Sequence, residues 1–277
     1  MIYEINEIRL PKKQLVLLHK GWGKDISENT ITSRIKYLSD GIEVEGYISK
    51  PLEFKSRLPV IIWNRGGNKN SGKIDDFLAS GILGEIASWG YFVIASNYRE
   101  DDQFGGEDVN DILNLIDIID DFPEAESNLI GMEGWSRGGM MMYLCLTKTN
   151  RVRCAVAVSA VANLERTISI NPGLNKFISE LTQGYSKEEK DKFFKRRSAV
   201  GFYEEINVNT PTHFIHGNSD DKVSYLDSVD MHERLKIKNT GTEYKLELIE
   251  NGDHYLSRNK ELVKYLRKDW FDKYLKR

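Results

Sequence analysis

The sequence is short of several things, and each shortage excludes a class of protein. It has two cysteines, Cys145 and Cys154, both inside apolar runs. Two such residues make no disulfide framework and read as small buried hydrophobes. It has no strong charge of either sign: 39 Lys and Arg stand against 42 Asp and Glu, a net charge of −3, with no long block of one sign. Neither nucleic acid nor an anionic membrane surface is implied as a partner. It has no long apolar run. Leu15 to Leu18, behind Lys12 and Lys13, is too short for a signal core, and no stretch has the length of a membrane span, so the cytoplasm is the expected compartment. There is no internal repeat and no low-complexity tract. There is no HExxH motif and no spaced His/Asp cluster either, so no metal and no cofactor are expected.

What is present is a chain of 277 residues suited to one large α/β domain. Residues 31 to 37 alternate in polarity, as do 42 to 48, and Ser39-Asp40-Gly41 lies between them. Asp-Gly is a favoured hairpin turn, so the spacing predicts an antiparallel hairpin at a sheet edge. The pattern then changes. LPVIIWN (58–64), YFVIASNY (91–98), NLIGMEGW (128–135), RCAVAVSA (153–160) and THFIHG (212–217) are short, nearly continuous apolar runs. Such runs suit strands buried on both faces of a parallel sheet. Helical periods separate most of them, at 76–88, 109–119 and 140–146, and Leu262, Leu266, Trp270 and Tyr274 mark a C-terminal amphipathic helix. Strand and helix in repeated alternation imply a mostly parallel, doubly wound α/β sheet. Residues 163–206 carry no strand signal, and SKEE at Ser186 to Glu189 opens a charged helix with a capping box. A helical, lid-like insertion before the next strand is expected there. Residues 1–30 are expected to form an N-terminal arm, with 31–277 as the main domain.

The chemistry gathers around GMEGWSRGGMMMYL, Gly131 to Leu144. Gly134-Trp135-Ser136-Arg137-Gly138 has the G-x-S-x-G form of a nucleophile elbow. A sharp strand-to-helix turn strains the central residue, and a Cβ two positions away on either side would collide. An apolar strand before the motif and an apolar helix after it supply the context that the turn demands. Serine needs a base to accept its proton. Of the five histidines, His213 and His216 fall in or at the end of a strand, His232 on a charged helix and His19 in the arm. His254 follows LELIENGD, in a loop after a late strand, where an α/β sheet presents catalytic groups. An acid must orient the imidazole; Asp220 and Asp221 both lie on the loop after THFIHG, and the pattern alone does not separate them. Asp253 adjoins His254, but neighbouring side chains diverge in extended backbone. The order Ser, Asp, His is that of an α/β-hydrolase sheet. For the oxyanion, one backbone N–H is expected from Arg137 at the helix start, and a second from the glycine-bearing loop Asn64 to Asn68.

With these residues in place, the chain resembles the prolyl oligopeptidase group of serine hydrolases from about residue 30 to its end. YLSDGIEVEGYISKP resembles the family's opening hairpin, and NYREDDQFGGEDVNDILNLI the segment after its fourth strand. GMEGWSRGG resembles the serine motif, RRSAVGFYEEINVNTPTHFIHGNSDDKV the approach to the acid, and NGDH the site of the histidine. The resemblance implies an α/β-hydrolase fold, with Ser136, Asp220 (through the H-G-x-x-D spacing) and His254 as triad. It also implies Gly66 as second oxyanion donor beside Arg137, since Arg65-Gly66-Gly67 stands where relatives often carry H-G-G. Where a small residue or tyrosine commonly follows the serine, this chain has Arg137; its side chain is expected to pair with a surface carboxylate. The family's peptidases usually carry an N-terminal propeller, for which 277 residues leave no room, so a stand-alone catalytic domain is expected. The substrates expected are small esters or short peptides. A homo-oligomer is compatible with the sequence; the alternative reading is a non-catalytic scaffold of the same fold that binds a ligand or partner, against which the intact serine, acid and histidine candidates argue.

Overall fold

The computed structural model describes residues 2–69, 71–207, 209–239 and 241–276. The chain divides into two compact units, Met1–Met132 with Leu275–Arg277, and Glu133–Tyr274. Among the described residues nine strands make a mixed sheet, antiparallel among the N-terminal strands and parallel among the later pairs.

The first unit begins with strand β1 (Ile2–Glu7), helices α1 (Lys12–Trp22) and α2 (Lys24–Asn29), and strands β2 (Thr30–Ser39) and β3 (Ile42–Pro51). The hairpin is present as expected. Asp40 and Gly41 both take positive φ, 51° and 80°, the requirement of a two-residue turn whose twist matches the strands. Register runs from Ser39 opposite Ile42 to Thr30 opposite Pro51. The hairpin is not the sheet's edge, however: β1 pairs antiparallel with β2, Ile5 opposite Ile35. Its outer side chains, Tyr3 and Ile5, are exposed, so burial imposes no period on it. Leu18 of α1 and Ile26 of α2 are buried, and Trp22 meets Phe77 edge-on at 5.7 Å.

Strand β4 (Leu58–Asn64) is followed by α3 (Asp76–Leu78), which passes through a π turn at Ala79–Leu83 into α4 (Gly84–Ser88). Strand β5 (Phe92–Ser96) then pairs antiparallel with β3 and parallel with β4. All five of its residues are buried, which is why its sequence is an unbroken apolar run rather than an alternation. Helix α5 (Asn110–Ile118) follows, and β6 (Ala125–Trp135) carries the chain into the second unit.

In that unit α6 (Arg137–Leu146) is buried at every position. Strand β7 (Val152–Val158) precedes four helices, α7 (Leu164–Ile170), α8 (Pro172–Leu181), α9 (Lys187–Lys195) and α10 (Ala199–Phe202). The expected capping box heads α9: Ser186 Oγ accepts from Glu189 N at 3.3 Å, and Ser186 N donates to Glu189 Oε2 at 2.7 Å. Then come β8 (Thr212–Gly217), α11 (Leu226–Lys238), β9 (Tyr244–Ile249) and α12 (Lys260–Leu275), with β7, β8 and β9 parallel in that order. The helical segment is pinned at its start by buried Asp227 of α11. One oxygen accepts from Ala162 N and Asn163 N, both at 2.8 Å, and the other meets Arg166 at 3.0 Å.

The C-terminal helix is turned relative to the expected stripe. Val263, Leu266, Arg267, Trp270 and Phe271 are buried, whereas Leu262 is exposed. The reason is Arg267, which reaches buried Glu133 of β6 through Nε at 3.0 Å and Nη2 at 2.8 Å.

Candidate active site

Ser136 sits between β6 and α6 with φ 54° and ψ −120°. For a residue with a Cβ this lies outside the ordinary left-handed basin, a conformation costing of order 1–3 kcal/mol that survives only where its surroundings over-determine it. They do. Its N–H donates to Val158 O at 3.0 Å, and its carbonyl accepts from Gly139 N at 3.0 Å and Val161 N at 3.1 Å. The steric reason for glycine is measurable: a Cβ on Gly134 would lie 2.3 Å from the carbonyl oxygen of Gly138. Among the described residues the Ser136 hydroxyl makes no hydrogen bond, and the residue is half-buried.

Arg137 begins α6. Helix geometry leaves the N–H of such a first residue outside the intrahelical ladder, at the positive end of the dipole. The residue is buried, only 1% exposed. Three residues before the serine, Glu133 is buried between Arg267 and the Trp135 indole, which donates to it at 2.6 Å. Strand β6 is thereby tied to α12 at the end that carries Ser136.

The structure brings Asp220 and His254 together. His254 Nδ1 lies 2.8 Å from Asp220 Oδ2. The two loops approach this closely because glycines face each other: a Cβ on Gly217 would stand 2.2 Å from Gly252 O. Ser219 N donates to Gly252 O at 3.0 Å, and Asn218 Oδ1 accepts from Asn251 N at 2.8 Å. Asp220 is the buried member of its acidic pair. Asp221 has a 73% exposed side chain and pairs with Lys222 at 3.0 Å, while Asp253 accepts from Ser257 N.

Asp220 also has partners that sequence reasoning missed. Oδ1 accepts from Lys222 N at 2.8 Å and Val223 N at 2.9 Å, and Oδ2 meets His216 Nε2 at 3.2 Å. Burial alone would raise its pKa, but the hydrogen bonds from His216 and His254, the charge of His254 and the Val223 N–H together hold it well below the usual carboxylate range. A carboxylate so saturated with donors requires hydrogen on His254 Nδ1. Nε2 is then left as the lone-pair nitrogen, and it makes no hydrogen bond among the described residues. His254 as a whole is 9% exposed.

The other histidines are engaged elsewhere. Burial against Trp270, whose ring lies 5.1 Å away, pushes His213 down to about 4. His232 meets Tyr244 O at 3.2 Å and His19 meets Ser27 Oγ at 2.9 Å. Gly66 lies in the first unit, in the loop after β4, half-buried, with its carbonyl accepting from Arg65 Nη1 at 3.1 Å. Among the described residues no group of three His, Cys, Asp or Glu side chains is placed to hold a metal, and no helix is long and apolar enough to cross a membrane.

Residues 86–277 match the model of the prolyl oligopeptidase family, Peptidase_S9. The uncharacterized peptidase YtmA of Bacillus subtilis is 26% identical over 210 residues, covering 73% of this chain and 78% of its own. The uncharacterized peptidase YuxL of the same organism is 27% identical over 91% of this chain, which spans 41% of its length. Among solved structures, acylaminoacyl peptidase of Pyrococcus horikoshii superposes with a TM-score of 0.75 at 20% identity, over 90% of this chain and 42% of that one. A puromycin-hydrolyzing peptidase of Mycobacterium tuberculosis gives 0.71 at 17%, over 88% and 40%. This chain thus spans less than half of YuxL and of both solved structures. The likeness to them is one of fold, and that fold is the α/β hydrolase. The matched family model covers most of the chain, including both glycine-flanked turns, and on that ground the chain belongs to the prolyl oligopeptidase family of serine hydrolases.

Proposed function

We propose that the chain cleaves small esters or short peptides by acyl transfer through Ser136, His254 and Asp220. One observation carries this reading: the 2.8 Å contact between His254 and a donor-saturated Asp220, which fixes the tautomer with Nε2 as base. Nε2 takes the Ser136 proton as the serine oxygen adds to the substrate carbonyl. The N–H of Arg137 is the donor proposed for the oxyanion. Collapse of the tetrahedral adduct breaks the bond to the alcohol or amine, which leaves with the proton from Nε2. Water then adds to the acyl-enzyme by the same route, giving the acid and free serine. Asp220 remains ionised and stabilises the imidazolium.

A fluorophosphonate probe tests the reading. The wild type should label and Ser136→Ala should not, with turnover lower by roughly 10⁴ to 10⁶. Equal labelling of both proteins would remove Ser136 from the mechanism. Rates on p-nitrophenyl esters against aminoacyl anilides measure the ester-to-peptide preference.

A further inference from the structure

We infer that His216 is a positioning residue for the acid: a second, fully buried histidine that holds Asp220 in place for His254. The inference rests on the triad reading above and adds a fourth side chain to it.

The hydrogen pattern around His216 follows from its neighbours. Its Nε2 lies 3.2 Å from Asp220 Oδ2 and 3.1 Å from Val223 O. Both are acceptors only, so Nε2 carries a hydrogen. Its Nδ1 lies 2.8 Å from Ser228 Oγ. Ring and hydroxyl are both fully buried. His216 is the last residue but one of β8 and Ser228 lies in the first turn of α11, so the contact fixes the ring between two rigid elements. The charged and titratable groups around the ring are Asp220 on its own loop with Lys222 beside it, His254 from the loop after β9, and Asp227 of α11 paired to Arg166.

The consequence is geometric and electronic. Oδ2 of Asp220 is shared by two imidazoles, one that must stay and one that must work. A single oxygen held from behind by His216 cannot swing away when His254 gains its proton. A misplacement of about 1 Å in such a group costs on the order of a hundredfold in rate. The shared hydrogen bond also withdraws electron density from Oδ2. Without it the bond to His254 Nδ1–H strengthens, so the acid limb of the pH–rate profile moves to higher pH.

Two substitutions separate this role from simple packing. In His216→Asn the amide overlays Nδ1, keeping the Ser228 contact and losing the donor to Asp220. In His216→Gln the amide reaches the place of Nε2 and can still donate to Oδ2. Rates are normalised to active sites titrated with the fluorophosphonate. For His216→Asn, kcat should fall about 10- to 100-fold, KM should stay within about twofold, and the acid limb should rise by about half a pH unit. His216→Gln should recover most of kcat and the wild-type limb. Should His216→Asn be too unstable to purify, Ser228→Ala gives a milder form of the same signature, a loss of a few-fold in kcat with KM unchanged. The inference is overturned if His216→Asn, or Ser228→Ala in its place, matches the wild type in kcat per titrated site. It is equally overturned if the Asn and Gln variants lose activity alike with no movement of the acid limb. Ser136→Ala distinguishes the two levels: if it labels and turns over like the wild type, the triad itself fails, whereas its inactivity beside an unaffected His216→Asn removes only His216.

Discussion

Two buried carboxylates in the second unit have opposite partners. Glu133, three residues before Ser136, is held by the Arg267 guanidinium and the Trp135 indole. Asp220 is held by two histidines and two backbone N–H groups. Arginine does not release its proton in a protein, so the Glu133 pair is a fixed strut between β6 and α12. Histidine, unlike arginine, can both accept and give up a proton, which is what the proposed mechanism asks of the Asp220 cluster. Burial of the acid is common to both sites; the partner's chemistry decides whether it braces the fold or serves a reaction.

The comparison is broken most severely at Asp220. In Asp220→Asn the amide can no longer enforce hydrogen on His254 Nδ1, and the wrong tautomer should lower kcat by about 10⁴. Circular dichroism should show the fold retained. An Asp220→Asn variant with near-wild-type turnover would put the acid elsewhere.

Next comes Glu133→Gln. It removes the buried carboxylate that Arg267 meets, and breaking a buried pair from one side costs about 3–5 kcal/mol. Urea unfolding should show that loss, while kcat per titrated site stays within a few-fold. A large fall in kcat with unchanged stability would make Glu133 part of the chemistry rather than a strut.

The acid side of the stability curve gives a smaller effect whose sign is fixed. Asp220 has its carboxyl depressed in the folded state by the His216 and His254 hydrogen bonds, which outweigh burial. The stability it supplies is therefore complete above the unfolded carboxylate value, near pH 4, and is lost as pH falls through the lower folded value. Asp227 has the opposite sign: burial raises it, although Asn163 N–H, Ala162 N–H and Arg166 act against the rise. Its contribution is present at low pH and lost as pH rises through its folded value. Denaturant midpoints between about pH 5 and pH 2 should fall more steeply for the wild type than for Asp220→Asn. Parallel curves would mean that the Asp220 contacts contribute nothing to stability.

How much of this was legible in the sequence follows from the range of each interaction. Strands buried on both faces write themselves as unbroken apolar runs, and β4, β5 and β7 lie where such runs fall. The glycines at 134 and 138 are local steric requirements of one turn, so Ser136 could be read from five residues. Strand β1 escaped because Tyr3 and Ile5 face solvent, leaving no period for burial to impose. The turned face of α12 escaped because Arg267 counts as polar until Glu133, 134 positions earlier in the chain, supplies its counter-charge. His216 escaped for a related reason: at the end of an apolar run it looks like core, and only the fold of the following loop returns Asp220 to its ring.

Asp221 supplies the smallest test and sharpens the comparison within a single loop. It differs from Asp220 by one position, yet its side chain is 73% exposed and its partner is the exposed Lys222. In high dielectric such a pair contributes about 0–1 kcal/mol, and salt screens it. Asp221→Asn should therefore change unfolding free energy by less than about 0.5 kcal/mol and kcat by less than about twofold. Adjacent aspartates would then differ by several orders of magnitude in their effect on rate. The cause is which of them the loop turns toward His216 and His254, since the carboxylates are chemically identical. If Asp221→Asn instead reproduced the loss expected for Asp220→Asn, the hydrogen bond to His254 would not be what assigns the acid.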